Sequence, residues 1–170
     1  MELPIVFKAL IVTLSDRAAN GEYEDLSGPK VKEMLESYFK DIGWPLVTEI
    51  IIIPDDRSKL RQLLNEYSQN YNLIITTGGT GIGPRDITVD VVRDLLDIEI
   101  PGIMDHIRIK YGMDKPNVLL SRSIAGIINK SLIYTLPGSV KAVDEYLTEI
   151  LKSLQHTIYM QYGIDVHKKN

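Results

Sequence analysis

The hydrophobic positions of the chain alternate between short continuous runs and helical spacings. Residues 7–14, 47–53 and 71–77 are apolar or β-branched runs that stop at polar or glycine-rich segments, which predicts buried strands. Elsewhere apolar side chains recur at the spacing of one helix face. That spacing predicts helices over residues 30–40 and 101–111, and helices that carry the apolar positions between 60 and 67, 91 and 96, and 143 and 151.

The second half of the chain adds a strand, a turn and another strand at residues 123–128, 129–130 and 132–136. Thr88 is expected to cap the third helix with its hydroxyl. Because strands alternate with helices, the chain is expected to form right-handed βαβ units. The predicted fold class is therefore α/β: a single three-layer α/β/α domain with a mainly parallel sheet and an antiparallel edge hairpin.

The length of 170 residues fits one domain with a sizeable core, and no linker or repeat divides the chain. Residues 1–158 are assigned to this domain. Residues 159–170 form a C-terminal tail with weak periodicity, expected either to be disordered or to pack on a neighbouring subunit. The helix face that carries Ile103, Met104 and Ile107 is expected to be exposed and to suit a subunit interface.

Composition and charge exclude several classes of function. The net charge of -4 argues against a nucleic-acid-binding protein, which usually carries a basic surface. The absence of cysteine excludes disulfides and thiolate chemistry, and the three histidines lack the spacing of a zinc site. No apolar run is long enough to span a membrane, and the N-terminus lacks the features of a signal peptide. A cytoplasmic location is therefore expected.

Four polar or glycine-rich segments directly follow predicted strands: Ser15-Asp16-Arg17, Pro54-Asp55-Asp56, residues 78–86 and Pro137-Gly138-Ser139. In open α/β sheets, ligands bind outside the carboxyl ends of the strands. Each segment alone is explained as well by the preference of turns for Gly, Pro, Asp and Ser. Their shared position at one sheet edge, with complementary chemistry, favours a binding site there.

The glycine-rich segment is the strongest of the four. Gly78, Gly79 and Gly81, with Thr80 between them, allow backbone N–H groups to approach an anion closely. The segment is not a P-loop, because no Gly-Lys-Ser/Thr follows. The alternative is a mobile surface loop that only connects two elements. The Arg85-Asp86 pair at the end of the segment disfavours this alternative.

Two carboxylates stand out by position. Asp55 follows the second strand, and Asp86 ends the glycine-rich segment. Mg²⁺ is commonly held by one or two carboxylates together with substrate phosphates, and phosphoryl-type transfer depends on positioning and charge neutralisation. The alternatives stay open at this stage: Asp55 as a turn former, Asp86 as a favourable residue at a helix N-terminus, and Ser139 as an N-cap.

These residues carry a resemblance to the molybdopterin adenylyltransferase family, which includes bacterial MogA- and MoaB-type proteins and the G domain of gephyrin. The matching pieces run in family order over nearly the whole chain. They are Ser15-Asp16-Arg17, Asp25-Leu-Ser-Gly-Pro29, Ile53-Pro54-Asp55-Asp56, Thr76 to Gly81 with Pro84-Arg85-Asp86-Ile-Thr88, Ile100-Pro101-Gly102, Leu120-Ser121-Arg122-Ser123 and Leu136-Pro137-Gly138-Ser139.

The resemblance implies a reaction, a cofactor and an assembly. The family consumes ATP, with Mg²⁺, and molybdopterin, and it yields adenylylated molybdopterin and pyrophosphate in molybdenum cofactor biosynthesis. It forms homotrimers, sometimes hexamers, and a downstream partner enzyme inserts molybdate. The residue roles carried over by position are catalytic and Mg²⁺-binding for Asp55 and Asp86; nucleotide-binding for Gly78, Gly79, Thr80, Gly81, Pro137, Gly138 and Ser139; and substrate-binding for Ser15, Asp16, Arg17 and Ser121.

Two other functions are compatible with the same resemblance. One is a MoaB-type paralogue that binds pterin or nucleotide without adenylylating it, which the retention of both Asp55 and Asp86 disfavours. The other is a scaffolding role, disfavoured because the chain has one domain. Val89, Asp105 and Val140 depart from the residues usual in the family, which leaves the pterin side of the pocket open.

Overall fold

A computed structural model describes residues 2–165, and its centre is one six-stranded sheet. The strands lie in the order β2-β1-β3-β6-β5-β4. Pairing is parallel from β2 through β6, whereas β5 pairs antiparallel with both β6 and β4. The strands are β1 (Phe7–Leu14), β2 (Leu46–Ile53), β3 (Leu73–Thr77), β4 (Ile98–Glu99), β5 (Ala125–Ile128) and β6 (Ser131–Leu136).

Helices cover both faces of the sheet and enclose two hydrophobic cores. The first core packs α2, α5 and α6 against one face, and the second packs α3 and α4 against the other. This arrangement confirms the predicted three-layer α/β/α domain with an antiparallel edge. The helices are α1 (Asp16–Ala19), α2 (Ser27–Asp41), α3 (Arg57–Tyr67), α4 (Thr88–Arg93), α5 (Pro101–Gly112) and α6 (Val140–Gln161), with a 3₁₀ helix at Pro116–Leu120.

The central strands are buried on both faces because helices cover the sheet on both sides. All five residues of β3 and all six of β6 are buried. Such strands appear in a sequence as continuous apolar or β-branched runs rather than as an alternating pattern. This is why the runs at residues 7–14, 71–77 and 132–136 located the middle of the sheet.

Three short elements were not predicted: α1, β4 and the 3₁₀ helix. Each is only two to five residues long, which is too short for an apolar period to be visible. The strand predicted to begin at residue 71 begins at Leu73, because the side chain of Asn72 takes the hydrogen bond from Lys8 N at 2.8 Å. Likewise, β5 begins at Ala125 rather than at residue 123.

Two of the predictions about helices were wrong. Ile87, not Thr88, occupies the N-cap position of α4, and the hydroxyl of Thr88 instead donates to the carbonyl oxygen of Gly78 at 2.8 Å. The α5 face with Met104 and Ile107 is not exposed, because both side chains lie in the first hydrophobic core. Helix α6 continues to Gln161, so residues 159–161 of the expected tail are helical. Residues 166–170 of that tail lie outside the described residues.

No helix in the described part of the chain is long and apolar enough to cross a membrane.

Candidate active site

The four segments that follow the parallel strands come together at one edge of the sheet. In the strand register, Leu14 lies beside Ile53, and Thr77 lies beside both Thr13 and Leu136. The four neighbouring strands therefore end within one residue of the same level. Because parallel strands end at the same edge, the segments that follow them face the same region.

A small polar cavity lies between the first three of these segments. Its volume is about 270 Å³, and it is lined by Leu14, Ser15, Asp16, Arg17, Asp55, Gly79, Arg85 and Asp86. Three aspartates and two arginines thus border one cavity. The predicted residues Ser15, Asp16 and Arg17 belong to it, and Ser15 also caps the short helix α1.

Asp16 and Asp55 hold each other in place through reciprocal hydrogen bonds. The N–H of Asp16 donates to Oδ2 of Asp55 at 3.3 Å, and the N–H of Asp55 donates to Oδ1 of Asp16 at 3.1 Å. The guanidinium of Arg85 forms an ion pair with the remaining oxygen of Asp16. The segments after β1 and β2 and the end of the glycine-rich loop are therefore linked through a single carboxylate.

Partial burial raises the pKa of Asp55 above its usual value. The hydrogen bond from the N–H of Asp16 lowers this pKa, the charges of Asp16 and Asp86 raise it, and Arg85 lowers it. The ionised carboxylate of Asp55 is thus less stable here than in water. A cation bound in this cavity would stabilise the ionised carboxylate. Carboxylates whose pKa is raised by their surroundings are common at functional sites.

The glycine-rich loop depends on backbone conformations that other residues adopt with difficulty. Gly78 has a φ of 98° and Gly79 a φ of 66°. A Cβ at Gly78 would lie 2.3 Å from the carbonyl oxygen of Leu14, and one at Gly79 would lie 2.4 Å from Oγ1 of Thr88. Both glycines are therefore needed for the loop to pass so close to β1 and α4.

The loop also folds around the side chain of Asp86. The N–H of Gly83 donates to Oδ2 of Asp86 at 2.7 Å, and the N–H of Asp86 donates to the carbonyl oxygen of Gly83 at 3.0 Å. One carboxylate oxygen of Asp86 is engaged by its own loop, while the same residue borders the polar cavity. The position of Asp86 therefore depends on the shape of the loop.

A second, wider cavity lies on the other side of the glycine-rich loop. Its volume is about 680 Å³, and it shares Gly79 and Asp86 with the polar cavity. Its lining is mainly apolar, with Val118, Leu120 and Tyr146 opposite the loop. Among the predicted residues it is bordered by Gly79, Thr80, Gly81, Ser121, Pro137 and Gly138.

Two predicted site residues line neither cavity. Ser139 accepts a hydrogen bond from the N–H of Ala142 at 3.2 Å and so caps α6, which was the structural alternative for it. Gly78 donates its N–H to the carbonyl oxygen of Leu136 at 2.9 Å. A Cβ at Gly138 would lie 3.3 Å from Cα of Gly78, so the turn after β6 packs directly on the glycine-rich loop.

Sequence reasoning missed several residues that the fold brings to the wider cavity. Lys115 and Glu145 form an ion pair at its rim. The hydroxyl of Tyr146 is buried and forms no hydrogen bond with any other described residue. No local pattern could have identified these three side chains, because two come from α6 and the third, Lys115, directly precedes the 3₁₀ helix. Arg122 belongs to the Leu120-Ser121-Arg122-Ser123 segment, whose sequence alone indicates no role for this side chain.

The chain supplies only part of a metal site. Within residues 2–165, no three histidine, cysteine or acidic side chains converge as ligands. The polar cavity nevertheless offers carboxylate oxygens of Asp55 and Asp86, the ligand type that Mg²⁺ prefers. Two carboxylates are the usual protein share of a Mg²⁺ site that substrate phosphates complete, so the residues fit this ion.

A third cavity, of about 590 Å³, lies between the β4–β5 edge and the end of α6. Its lining includes Ile98, Ile127 and Met160, and none of the described residues contributes a carboxylate to it. It is therefore separate in position and chemistry from the two cavities joined at the glycine-rich loop.

Comparison with known proteins gives a consistent result. Residues 10–156 match the family described as "Probable molybdopterin binding domain". The molybdopterin adenylyltransferase of Helicobacter pylori J99 is 35% identical over 164 residues, which cover 94% of this chain and 92% of that protein. Gephyrin of Dictyostelium discoideum is 36% identical over 155 residues, which cover 87% of this chain but only 21% of gephyrin.

The fold comparison agrees with these relatives. The crystal structure of the molybdopterin biosynthesis enzyme MoaB from Thermus thermophilus superposes with a TM-score of 0.82 at 32% identity. The match covers 92% of this chain and 97% of that one.

Proposed function

This chain belongs to the molybdopterin binding domain family, and from that premise we propose that it transfers the adenylyl group of ATP to molybdopterin. The observation that carries the proposal is the pair of unlike cavities that meet at Gly79 and Asp86. A reaction between two phosphorylated substrates needs an apolar site for a ring system next to a polar site for the phosphates. The wider cavity offers the first and the polar cavity the second, and both border the glycine-rich loop.

In this proposal the wider cavity holds the adenosine of ATP. Its apolar wall, with Val118, Leu120 and Tyr146, suits a planar ring system. Gly138 and the start of α6 border the same space, so the turn after β6 can contact the adenylyl group without a side chain in the way. The phosphates then extend along the glycine-rich loop towards the polar cavity.

The polar cavity would bring the reacting groups together. Arg17 and Arg85 supply positive charge for phosphate oxygens, and Asp55 and Asp86 would hold Mg²⁺. When bound there, the ion supplies neutralisation of the charge on the leaving pyrophosphate. Ser15 and Asp16 line the same cavity, and in this proposal they contact molybdopterin there.

The bond changes of the proposed step balance without any oxidant or reductant. A terminal phosphate oxygen of molybdopterin attacks the α-phosphorus of ATP, and the bond from that phosphorus to the β-bridging oxygen breaks. Pyrophosphate leaves with the electron pair, and adenylylated molybdopterin forms. The glycine-rich loop contributes backbone N–H groups near the phosphoryl oxygens, where preorganised donors lower the barrier most.

The alternative function, a paralogue that binds pterin or nucleotide without transfer, is less well supported. Both carboxylates are present and border the cavity that a transfer reaction needs. The relatives at about 35% identity over most of the chain also carry the name of the transferase.

Assembly, partner and location remain part of the proposal. We expect a homotrimer, with a hexamer as the alternative, and light scattering of the purified protein distinguishes the two. We also expect a downstream molybdate-insertion enzyme that consumes the adenylylated product. A cytoplasmic location fits a reaction that consumes ATP.

Turnover with both products followed tests the proposed function. Purified protein is mixed with molybdopterin, ATP and Mg²⁺, and pyrophosphate and adenylylated molybdopterin are measured in parallel. Equal amounts of the two products support transfer. Pterin binding without either product, while a known transferase turns over under the same conditions, would favour the non-adenylylating paralogue.

A further inference from the structure

Arg122 lies against the glycine-rich loop and is not among the residues that line the two cavities. Its Nε donates to the carbonyl oxygen of Gly81 at 2.7 Å, and its Nη2 donates to the carbonyl oxygen of Asp86 at 2.7 Å. Its backbone N–H donates to the carbonyl oxygen of Thr80 at 2.9 Å. One residue therefore binds three carbonyl groups of a single loop, two of them near its middle and one at its end.

These contacts determine which way the loop's N–H groups face. In a trans peptide the carbonyl and the following N–H point in opposite directions, and the described chain contains no cis peptide. Carbonyls turned towards Arg122 therefore turn the N–H groups of Gly81, Ile82 and Ile87 away from it. Those of Gly81 and Ile82 belong to residues that line the wider cavity. Across residues 2–165, neither of these two N–H groups donates to another residue.

Asp90 fixes the guanidinium of Arg122 in turn. Its Oδ1 accepts from Nη1 of Arg122 at 2.7 Å, and this hydrogen bond lowers the pKa of Asp90. Asp90 lies in the first turn of α4, directly after the loop. Arg57 of α3 lies 3.4 Å from the same carboxylate. The loop, α4 and the segment after the 3₁₀ helix thus form one connected unit around Arg122.

We propose that Arg122 is a positioning residue for adenylyl transfer: by binding the carbonyls of Gly81 and Asp86, it presents the loop N–H groups and the Asp86 carboxylate to the substrate. Arg122 touches neither cavity and takes no part in the bond changes. A planar guanidinium is required because only a fork of donors reaches the two carbonyls and Asp90 together. This inference rests on the proposed function, since it assigns the loop a part in the same reaction.

Arg122→Lys, compared with Arg61→Lys, tests the proposal. Arg61 also pairs with an aspartate across α3 and the end of α4, at 2.6 Å from Asp94, but it contacts no loop carbonyl. Arg122→Lys keeps the positive charge beside Asp90 but lacks the planar set of N–H donors that reaches the two carbonyls and Asp90 together. We expect kcat to fall roughly 10- to 100-fold at saturating ATP, because small displacements of catalytic groups are that costly. The Mg²⁺ concentration for half-maximal rate should rise as well, and Arg61→Lys should change neither quantity.

Hydrogen exchange provides a readout that does not depend on turnover. In Arg122→Lys, the hydrogen-bonded amides of Gly83 and Asp86 should exchange faster, measured on the peptide that covers residues 78–90, whereas Arg61→Lys should leave them unchanged. A wild-type kcat or an unchanged exchange rate in Arg122→Lys overturns the proposal. Should the wild-type protein make no adenylylated molybdopterin, the proposed function fails, and the exchange measurement alone decides whether Arg122 holds the loop.

Discussion

The two cavities on either side of the glycine-rich loop differ in almost every physical respect. The cavity beside Asp55 is small, about 270 Å³, and is bordered by three aspartates and two arginines. The cavity beside Tyr146 is wide, about 680 Å³, and its wall is mainly apolar. Only Gly79 and Asp86 belong to both. The loop therefore separates a cavity suited to charged groups from a cavity suited to a ring system, and Asp86 borders both.

This difference implies a division of labour that kinetics can detect. Changes in the polar cavity should act on the chemical step and lower kcat, because charge develops there during transfer. Changes in the apolar wall of the wide cavity, away from the glycine-rich loop, should weaken ground-state binding and raise KM for ATP with little effect on kcat.

The largest effect is expected for Asp86→Asn. The amide oxygen still accepts the hydrogen bond from Gly83, so the loop keeps its shape, but the negative charge is lost. We predict a fall in kcat of roughly 10²- to 10³-fold, the size seen when one charge-stabilising group is removed. Initial rates of pyrophosphate release measure it.

Asp56→Asn is the matched control for Asp86→Asn. Asp56 caps α3 by accepting from the N–H of Lys59 at 2.9 Å, a role that asparagine performs as well. The kcat of the Asp56→Asn variant should equal that of the wild type. Near-normal turnover of Asp86→Asn would contradict the proposal that this carboxylate binds Mg²⁺.

A smaller loss of activity is expected for Asp55→Asn, together with a gain in stability. We predict a fall in kcat of roughly 10²-fold, because Asp16 and Asp86 leave some negative charge in the cavity. At neutral pH the melting temperature should rise by about 1–2 °C, since the variant no longer buries an ionised carboxylate. Solvent screening of the half-buried side chain limits the gain.

The gain in stability should depend on pH with a definite sign. The folded protein holds the pKa of Asp55 above its unfolded value, so the loss of stability begins as the pH rises through the unfolded pKa and is complete above the folded pKa. The difference in melting temperature between Asp55→Asn and wild type should therefore vanish as the pH falls below the unfolded pKa. A lower melting temperature for the variant at pH 7 would contradict the cause assigned to the raised pKa.

Tyr146→Phe tests the wide cavity and should change binding alone. The hydroxyl has no hydrogen-bond partner among the described residues, so the protein itself loses nothing when it is removed. If bound ATP satisfies this hydroxyl, KM for ATP should rise by roughly 3- to 10-fold at unchanged kcat. The melting temperature without ligand should stay level or increase. A fall in kcat with KM unchanged would break the proposed division between the cavities.

Glu149→Gln lies outside both cavities and should leave the kinetics of the folded enzyme unaltered. The Glu149 side chain is 3% exposed and lies between α5 and α6, where Lys110 and Lys152 bind it at 2.6 and 2.9 Å, and it also faces His106 and Tyr111. We predict a loss of about 1–3 kcal/mol in the free energy of unfolding at pH 7. Denaturant titration measures this loss, and kcat should remain that of the wild type.

The pH dependence of this loss follows from the lowered pKa of Glu149. The hydrogen bond from Lys110 is the main cause, and together with those from Lys152 and His106 it outweighs the effect of burial and lowers the pKa from 4.5 to about 2. The stabilising contribution is therefore complete above the unfolded value and is lost as the pH falls towards the folded value. The stability difference between wild type and Glu149→Gln should shrink between about pH 4.5 and pH 2. A difference that stays constant over this range would contradict the ionic origin of the effect.

The sequence predicted the parallel half of the sheet better than the antiparallel edge. Strands β1 and β3 are buried on both faces, so they appear as continuous apolar runs and could be located without a structure. Strand β4 has two residues, both exposed, and forms only because β5 offers an edge to pair with. No local pattern marks such an element.

The candidate site shows the same contrast between local and tertiary signals. The segments after β1, β2, β3 and β6 could be grouped from the sequence, because the ends of parallel strands coincide in space. Tyr146, by contrast, looks like any apolar position of α6, and only the packed structure reveals that its hydroxyl lacks a partner beside the wide cavity. The role of Arg122 likewise cannot be recognised in the sequence, since its side-chain contacts lie 32 to 41 residues away along the chain.

A crystal structure of Asp86→Asn with ATP bound tests the division between the cavities most directly, because slow turnover preserves the nucleotide. We predict that the adenine lies in the wide cavity beside Tyr146 and that the phosphates run along the glycine-rich loop towards Asp55. Adenine bound in the polar cavity, in the apolar cavity beside Met160, or phosphates turned away from the loop would contradict this arrangement.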